Sequence, residues 1–154
     1  MDKVTIDPYT LTDMTLSRTS LLVTRGKVKV NMMALDWKSI GNLWGDPICT
    51  VAVAPSRYSF ELLNKCRQFT LNVPSDEMDD AVDIAGGYSG RNVDKIKKAG
   101  LTLSEPRSGI QVPGIEEAII TYECKVIHTA PSGSCSHVVF FGEIYEAYAD
   151  ENLL

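Results

Sequence analysis

Several stretches of the chain alternate between apolar and polar residues, and a period of two predicts strands. Leu21-Leu22-Val23-Thr24 and Lys27-Val28-Lys29-Val30, joined at Arg25-Gly26, predict a hairpin with Val28 and Val30 on one face and Lys27 and Lys29 on the other. Pro47-Ile48-Cys49-Thr50-Val51-Ala52-Val53-Ala54 is almost wholly apolar, which predicts a strand buried on both sides and ended by Pro55. Phe69-Thr70-Leu71-Asn72-Val73 alternates up to Pro74. In the last third, Ile120, Tyr122, Cys124, Val126 and His128 alternate with Ile119, Thr121, Glu123, Lys125 and Ile127. After a turn at Pro131-Ser132-Gly133, residues 138–148 predict a long strand. Val139, Phe141 and Tyr145 would lie on one face, and Val138, Phe140, Ile144 and Tyr148 on the other.

The middle of the chain changes period. Phe60, Leu63 and Cys66 recur at helical spacing behind Ser56, a natural N-cap. Ser75 opens a second short helix to about Ala85, stopped by Gly86-Gly87, and a third runs from about Asn92 to Ala99 before Gly100. The first twenty residues are polar and irregular and read as a lead-in that packs on the core. Strands joined by turns, with short helices inserted between them, predict a mainly β fold: an antiparallel barrel carrying helical excursions. A parallel βαβ sheet fits less well because the helices cluster centrally. No GxGxxG run supports a dinucleotide fold.

A chain of 154 residues is one domain's worth, here residues 1–154. The net charge of −5 argues against a phosphate-backbone partner, so no nucleic acid is expected. No apolar run approaches the roughly 20 residues a membrane span needs, and the N-terminus lacks a signal-peptide pattern, so a cytoplasmic protein is expected. Cys49, Cys66, Cys124 and Cys135 include no CxxC pair. With His128 and His137 the spacing matches no usual zinc pattern, so inert thiols in a reducing compartment are expected and no metal.

Three segments carry candidate chemistry. At Pro55-Ser56-Arg57-Tyr58-Ser59 a strand runs into a helix start, where free backbone amides, a guanidinium and two hydroxyls suit an anion; an ordinary capped helix is the alternative. At Ser89-Gly90-Arg91-Asn92-Val93-Asp94-Lys95, cations in a helix's first turn oppose its dipole. Either a bound anion relieves that conflict or the side chains point to water. Asn31-Met32-Met33-Ala34-Leu35-Asp36-Trp37 combines apolar bulk with amide and indole donors, as a wall for an aromatic ligand or as a core strand ending in Trp37. His137, behind the small-residue loop 132–136, is either a strand-end contact to a ligand or, as is commoner, a surface histidine. No Ser-His-Asp order or nucleophile elbow is present.

In this order, these segments resemble the flavin reductase-like FMN-binding split-barrel family, its flavoredoxin-like branch in particular. The resemblance runs from about Leu21 to Tyr148. It also takes in Lys38-Ser39-Ile40-Gly41, Trp44-Gly45-Asp46-Pro47, Phe69-Thr70-Leu71-Asn72, Ala99-Gly100-Leu101, Tyr122-Glu123-Cys124-Lys125 and 137–144. It implies a six-stranded antiparallel Greek-key split barrel that forms a homodimer, with FMN at or near the subunit interface. Asn31, Met32, Met33, Ala34, Leu35 and Trp37 would run along the isoalloxazine ring. Ser56, Arg57 and Ser59 would lie near the phosphate and ribityl chain, with Ser89, Arg91 and Lys95 completing the phosphate site. His137 would sit near the flavin or the incoming nicotinamide.

The activity implied is hydride transfer from NADH or NADPH to flavin, with no catalytic side chain beyond the flavin. The alternatives are a flavoredoxin-type electron carrier reduced by a partner protein, or a non-catalytic FMN-binding module. A redox protein or an oxygenase could take the electrons. Departures from the family pattern are Ala34 and Ser59 where Thr is usual, Ala54 where close relatives often have Arg, and Ser134-Cys135-Ser136 where Gly-Asp is common. Many relatives also continue past the position of Leu154. These changes bear on turnover more than on FMN binding.

Overall fold

The computed structural model describes residues 1–154. Its strands are β1 (Lys3–Thr5), β2 (Ser20–Arg25), β3 (Val30–Leu35), β4 (Lys38–Leu43), β5 (Asp46–Val53), β6 (Gln68–Val73), β7 (Leu103–Ser104), β8 (Gly114–Ile115), β9 (Ile120–Pro131) and β10 (Val138–Asp150). The helices are α1 (Thr12–Ser17), α2 (Tyr58–Cys66), α3 (Asp79–Gly87) and α4 (Lys95–Lys98). The main sheet is antiparallel throughout, in the order β3-β2-β6-β9-β10-β5-β4, with β1 paired to β10. The mainly β antiparallel class is as expected. The sheet has eight strands rather than six. The lead-in supplies β1, and Lys38–Leu43 adds β4, whose polar, glycine-containing sequence carries little strand signal.

β2 shows how one strand serves two cores. Leu22 points into the barrel with Leu71, Phe69, Tyr122 and Phe140. Leu21 and Val23 point the other way, under the helices, with Met32, Ala81, Ala85 and Ile96. The lead-in is less irregular than its composition suggests. Thr15 of α1 is buried, and its hydroxyl lies 2.7 Å from that of Tyr122, which ties α1 to the barrel. Burial raises the Tyr122 phenol to about 12.

Several local expectations need correcting. The β2–β3 turn is longer than Arg25-Gly26: Gly26 N donates to Lys29 O at 2.8 Å, and β3 begins only at Val30. Val28 therefore sits in the turn, 96% exposed, and shares no face with Val30. Residues 31–35 belong to the strand itself. β5 is not buried on both sides along its whole length: Cys49, Val51 and Val53 face the barrel core, whereas on the other face Ile48 is buried but Thr50 and Ala52 are only half-buried.

On β10 the face assignment holds to Ile144 and then fails. A bulge between Ile144 and Glu146 shifts the register, so Ala147 and Ala149 enter the barrel core with Phe140. Tyr148 turns to the opposite side and donates to Glu123. A second irregularity lies at Phe141/Gly142, where the Phe69 ring presses on the strand. A Cβ on Gly142 would fall 2.5 Å from Phe69 Cζ, so only glycine fits.

Candidate functional site

β5 ends at Val53, and the chain turns through Pro55 into α2, with Arg57 N donating to Ala54 O at 3.0 Å. Arg57, not Ser56, is the N-cap, and no side chain caps the helix. Phe60 N closes back onto Arg57 O at 3.1 Å, which leaves the Tyr58 and Ser59 amides for something else. They face a cavity of about 610 Å³ between the start of α2, the outer side of β3 and the segment 86–91. That size is in the range of small-molecule sites.

The structure brings nine of the sequence-derived candidates to this cavity: Asn31, Met33, Ala34, Ser56, Arg57, Ser59, Ser89, Arg91 and Lys95. A smaller cavity of about 110 Å³ adjoins it, sharing Met33, Ala34, Asp36 and Arg57 and adding Leu35, Trp37 and His137. Of the thirteen, only Met32 reaches neither cavity. It is fully buried among Leu21, Ala85 and Ile96 on the side of β3 that the helices cover; β3 is the end strand of the sheet, so residues of both its faces border the cavities.

The cations are placed unequally. Lys95 is the first residue of α4, only 5% exposed, and its ammonium donates to Ala85 O at 2.9 Å. Burial, then Arg57, then Lys29 lower its pKa from 10.5 to about 8. Arg91 lies before the helix rather than in it, donating to Ser56 O at 3.3 Å and pairing with Glu61. The expected conflict with the α4 dipole does not arise: α4 is only four residues long, and Asp94 caps it by accepting from Lys97 N at 3.1 Å. Arg57 is exposed and takes part in neither of the chain's two ion pairs, Arg18–Asp76 and Arg91–Glu61. The single carboxylate lining the large cavity, Asp36, accepts from Thr19 Oγ1 at 2.6 Å.

Sequence reasoning missed part of the wall. Gly90 is buried against Asn31, whose Nδ2 donates to Ser59 Oγ at 3.2 Å. A Cβ on Gly90 would fall 2.0 Å from Asn31 Oδ1 and 2.9 Å from Tyr58 Cδ2. Lys29 reaches over to donate to Gly90 O. Gly86-Gly87, read only as a helix stop, lines the cavity too, as does Tyr88. The signal that was available is the density of small residues in 86–90, which lets backbone approach backbone.

A family model described as a flavin reductase like domain matches residues 15–154. The chain belongs to the flavin reductase-like family. The antiparallel split barrel is the fold of its structural neighbours. A flavoredoxin from Methanosarcina acetivorans superposes with a TM-score of 0.78 at 31% identity, over 89% of this chain and 70% of that one. An FMN-binding protein from Thermus thermophilus, solved with bound 1-cyclohex-2-enone, gives 0.77 at 27% identity over 89% and 72%. An uncharacterised protein from Pyrococcus abyssi is 38% identical over 128 residues, 82% of this chain and 70% of the relative.

Within this flavin reductase-like chain, Cys124 is buried in the barrel and Cys135 lies in an exposed loop. The Cys135 thiol is lowered by the Ser132 hydroxyl first and the His137 amide second. No helix is long and apolar enough to cross a membrane.

Proposed function

We propose that this protein binds FMN across the two cavities and passes a hydride from NADH or NADPH to it. The observation that carries the reading is the pairing of unlike ends. The large cavity holds Arg57 without a carboxylate partner beside the uncapped start of α2. The adjoining small cavity offers Trp37, His137 and the apolar edge of β3. A mononucleotide has the same polarity: a dianion at one end and a flat ring at the other.

Bound FMN supplies the hydride chemistry. The chain's own groups bind and orient. Arg57 and the first-turn amides of α2 hold the phosphate, with the hydroxyls of Ser56, Ser59 and Ser89 within the same cavity. Lys95 adds a positive field from below without leaving Ala85 O. Met33 and Ala34, common to both cavities, lie along the path from phosphate to ring. Ala34 offers no side-chain hydrogen bond, so polar contacts to the ring fall to backbone groups of β3. His137, half-buried at the small cavity, is placed to donate to the ring or the nicotinamide. Trp37 is 66% exposed there, an apolar surface that a second copy of the chain would cover in a homodimer.

A second reading is favoured by the likeness to the Methanosarcina acetivorans flavoredoxin: an electron carrier reduced by a partner protein. One experiment separates them. Protein loaded with FMN is mixed anaerobically with NADH, with NADPH, and with a reduced ferredoxin, and flavin bleaching is followed. Bleaching by a pyridine nucleotide above the free-FMN rate supports hydride transfer. Bleaching by the protein donor alone replaces it with the carrier. Failure to retain FMN at all removes both.

A further inference from the structure

Tyr58 sits one residue beyond the free cation, yet no hydrogen bond uses its hydroxyl to reach the cavity. Its ring does the contacting. Lys29 Nζ lies 5.3 Å and Arg91 Cζ 5.4 Å from the ring centroid. The Gly90 backbone packs against the ring edge so closely that a Cβ there would collide with Tyr58 Cδ2. Each of the two cations is also bound to backbone across a gap between elements: Lys29 to Gly90 O, and Arg91 to Ser56 O. One aromatic ring thus gathers the β2–β3 turn, the start of α2 and the 88–91 wall. On the other side, the wall joins α3 through Gly86-Gly87, both exposed, and a Cβ on Gly87 would meet nothing within 4 Å. The wall is pinned at Tyr58, and on the α3 side it is held only by the backbone of the glycine pair that ends that helix.

We propose that Tyr58 is a positioning residue for the anion end of the site: its ring, acting through Lys29 and Arg91, holds the 88–91 wall against α2 and so sets how firmly a phosphate is retained. This inference rests on the FMN reading above and adds to it a role for the Tyr58 ring, which borders the same cavity but acts on the phosphate end through the two cations it holds. Displacing the wall means breaking the two cation contacts with the ring together with the Lys29–Gly90 O, Arg91–Ser56 O and Arg91–Glu61 contacts that the ring keeps in place, so release of a phosphorylated ligand is slow while Tyr58 is aromatic. The hydroxyl is dispensable.

The test uses FMN and riboflavin as paired probes, since they share the ring and differ by the phosphate. Dissociation constants and release rates are measured for wild type, Tyr58→Phe and Tyr58→Leu by flavin fluorescence. Loss of two cation contacts predicts that Tyr58→Leu weakens FMN about ten-fold, chiefly through faster release, and leaves riboflavin within about two-fold. Tyr58→Phe should match wild type for both probes. Equal weakening of FMN and riboflavin in Tyr58→Leu would show a general packing defect and overturn the proposal, as would a Phe variant as impaired as the Leu variant. A wild type with no preference for FMN over riboflavin would instead overturn the phosphate assignment itself, whatever Tyr58 does.

Discussion

Two concentrations of charge lie in this barrel, and they are handled in opposite ways. Glu123 on β9 is fully buried, and the protein satisfies it completely. Its carboxylate accepts from Arg107 N at 2.8 Å, Ser108 N at 2.8 Å, Ser108 Oγ at 2.6 Å and Tyr148 Oη at 2.8 Å. Arg107 also stacks over the Tyr148 ring, 4.0 Å from its centroid. Nothing at Glu123 is left to offer a ligand; the group fastens the 105–109 loop to the sheet. At the start of α2, by contrast, Arg57 borders both cavities without a carboxylate partner, Lys95 has its pKa lowered by burial and then by Arg57, and no side chain caps the helix. A charge matched internally is architecture, whereas like charges converging without a match are a site awaiting an opposite charge.

The sharpest way to break this contrast is to remove Glu123. Glu123→Ala removes the acceptor of four donors, of which the Tyr148 hydroxyl is buried and the Arg107 and Ser108 groups are part-buried; at about 1–3 kcal/mol for a buried unsatisfied group and less for those that water can reach, stability should fall by about 2–4 kcal/mol. Urea unfolding measures it. FMN affinity of the folded fraction should stay unchanged, because Glu123 lines neither cavity. A loss below about 0.5 kcal/mol, the range of ordinary surface substitutions, would remove the structural half of the comparison.

Gly90→Ala probes the boundary between the two behaviours. The added methyl collides with Asn31 and Tyr58, and relief requires the wall to move outward. Overpacking of this kind costs about 1–3 kcal/mol, so both thermal stability and FMN affinity should drop together. Retention of full FMN affinity would show that the wall plays no part in holding the ligand.

Arg57→Ala should do the reverse of Glu123→Ala. An exposed guanidinium without a protein partner contributes little to folding, but a charge-assisted contact to phosphate is worth about 1.5–3 kcal/mol, or roughly ten-fold or more in affinity. Calorimetric titration with FMN, beside a melting curve, reads both quantities. Unchanged FMN affinity would refute the role given to Arg57.

The contrast also explains what the sequence could disclose. The barrel was legible because β2, β6 and the first half of β9 carry their apolar residues in runs bounded by turns. β4 was not, since Lys38-Ser39-Ile40-Gly41-Asn42-Leu43 owes its pairing to β5 beside it rather than to its own composition. The β10 faces were legible only up to the bulge at Ile144/Glu146, a register shift set by packing that no periodicity announces. For the site, residue types at loop and helix starts pointed to Ser56, Arg57 and Ser89. They could not show that Arg91 is spent on Glu61, that Lys95 is spent on Ala85 O, or that Met32 turns inward. Those facts depend on which side chains meet across the chain, and Lys29 reaches the wall from a turn longer than the sequence predicts.

The smallest effect expected is on pH, and Lys95 gives it a sign that differs between two measurements. In the folded protein its pKa is held near 8, below the ordinary 10.5, by burial and by Arg57 and Lys29. An anion in the cavity favours the charged form. FMN affinity should therefore be level between the second phosphate pKa, about 6, and pH 8, and should weaken as pH rises through 8, by at most about ten-fold per unit. Stability of the ligand-free protein moves the other way. Between pH 8 and 10.5 the unfolded chain binds the proton that the folded chain has released, so this residue makes folding more favourable as pH rises across that window. Lys95→Met should flatten the affinity profile near pH 8. A general alkaline loosening of the protein would lower affinity and stability together. Opposite slopes in wild type, both lost in Lys95→Met, would identify Lys95 as the titrating group, and parallel slopes would assign the pH effect elsewhere.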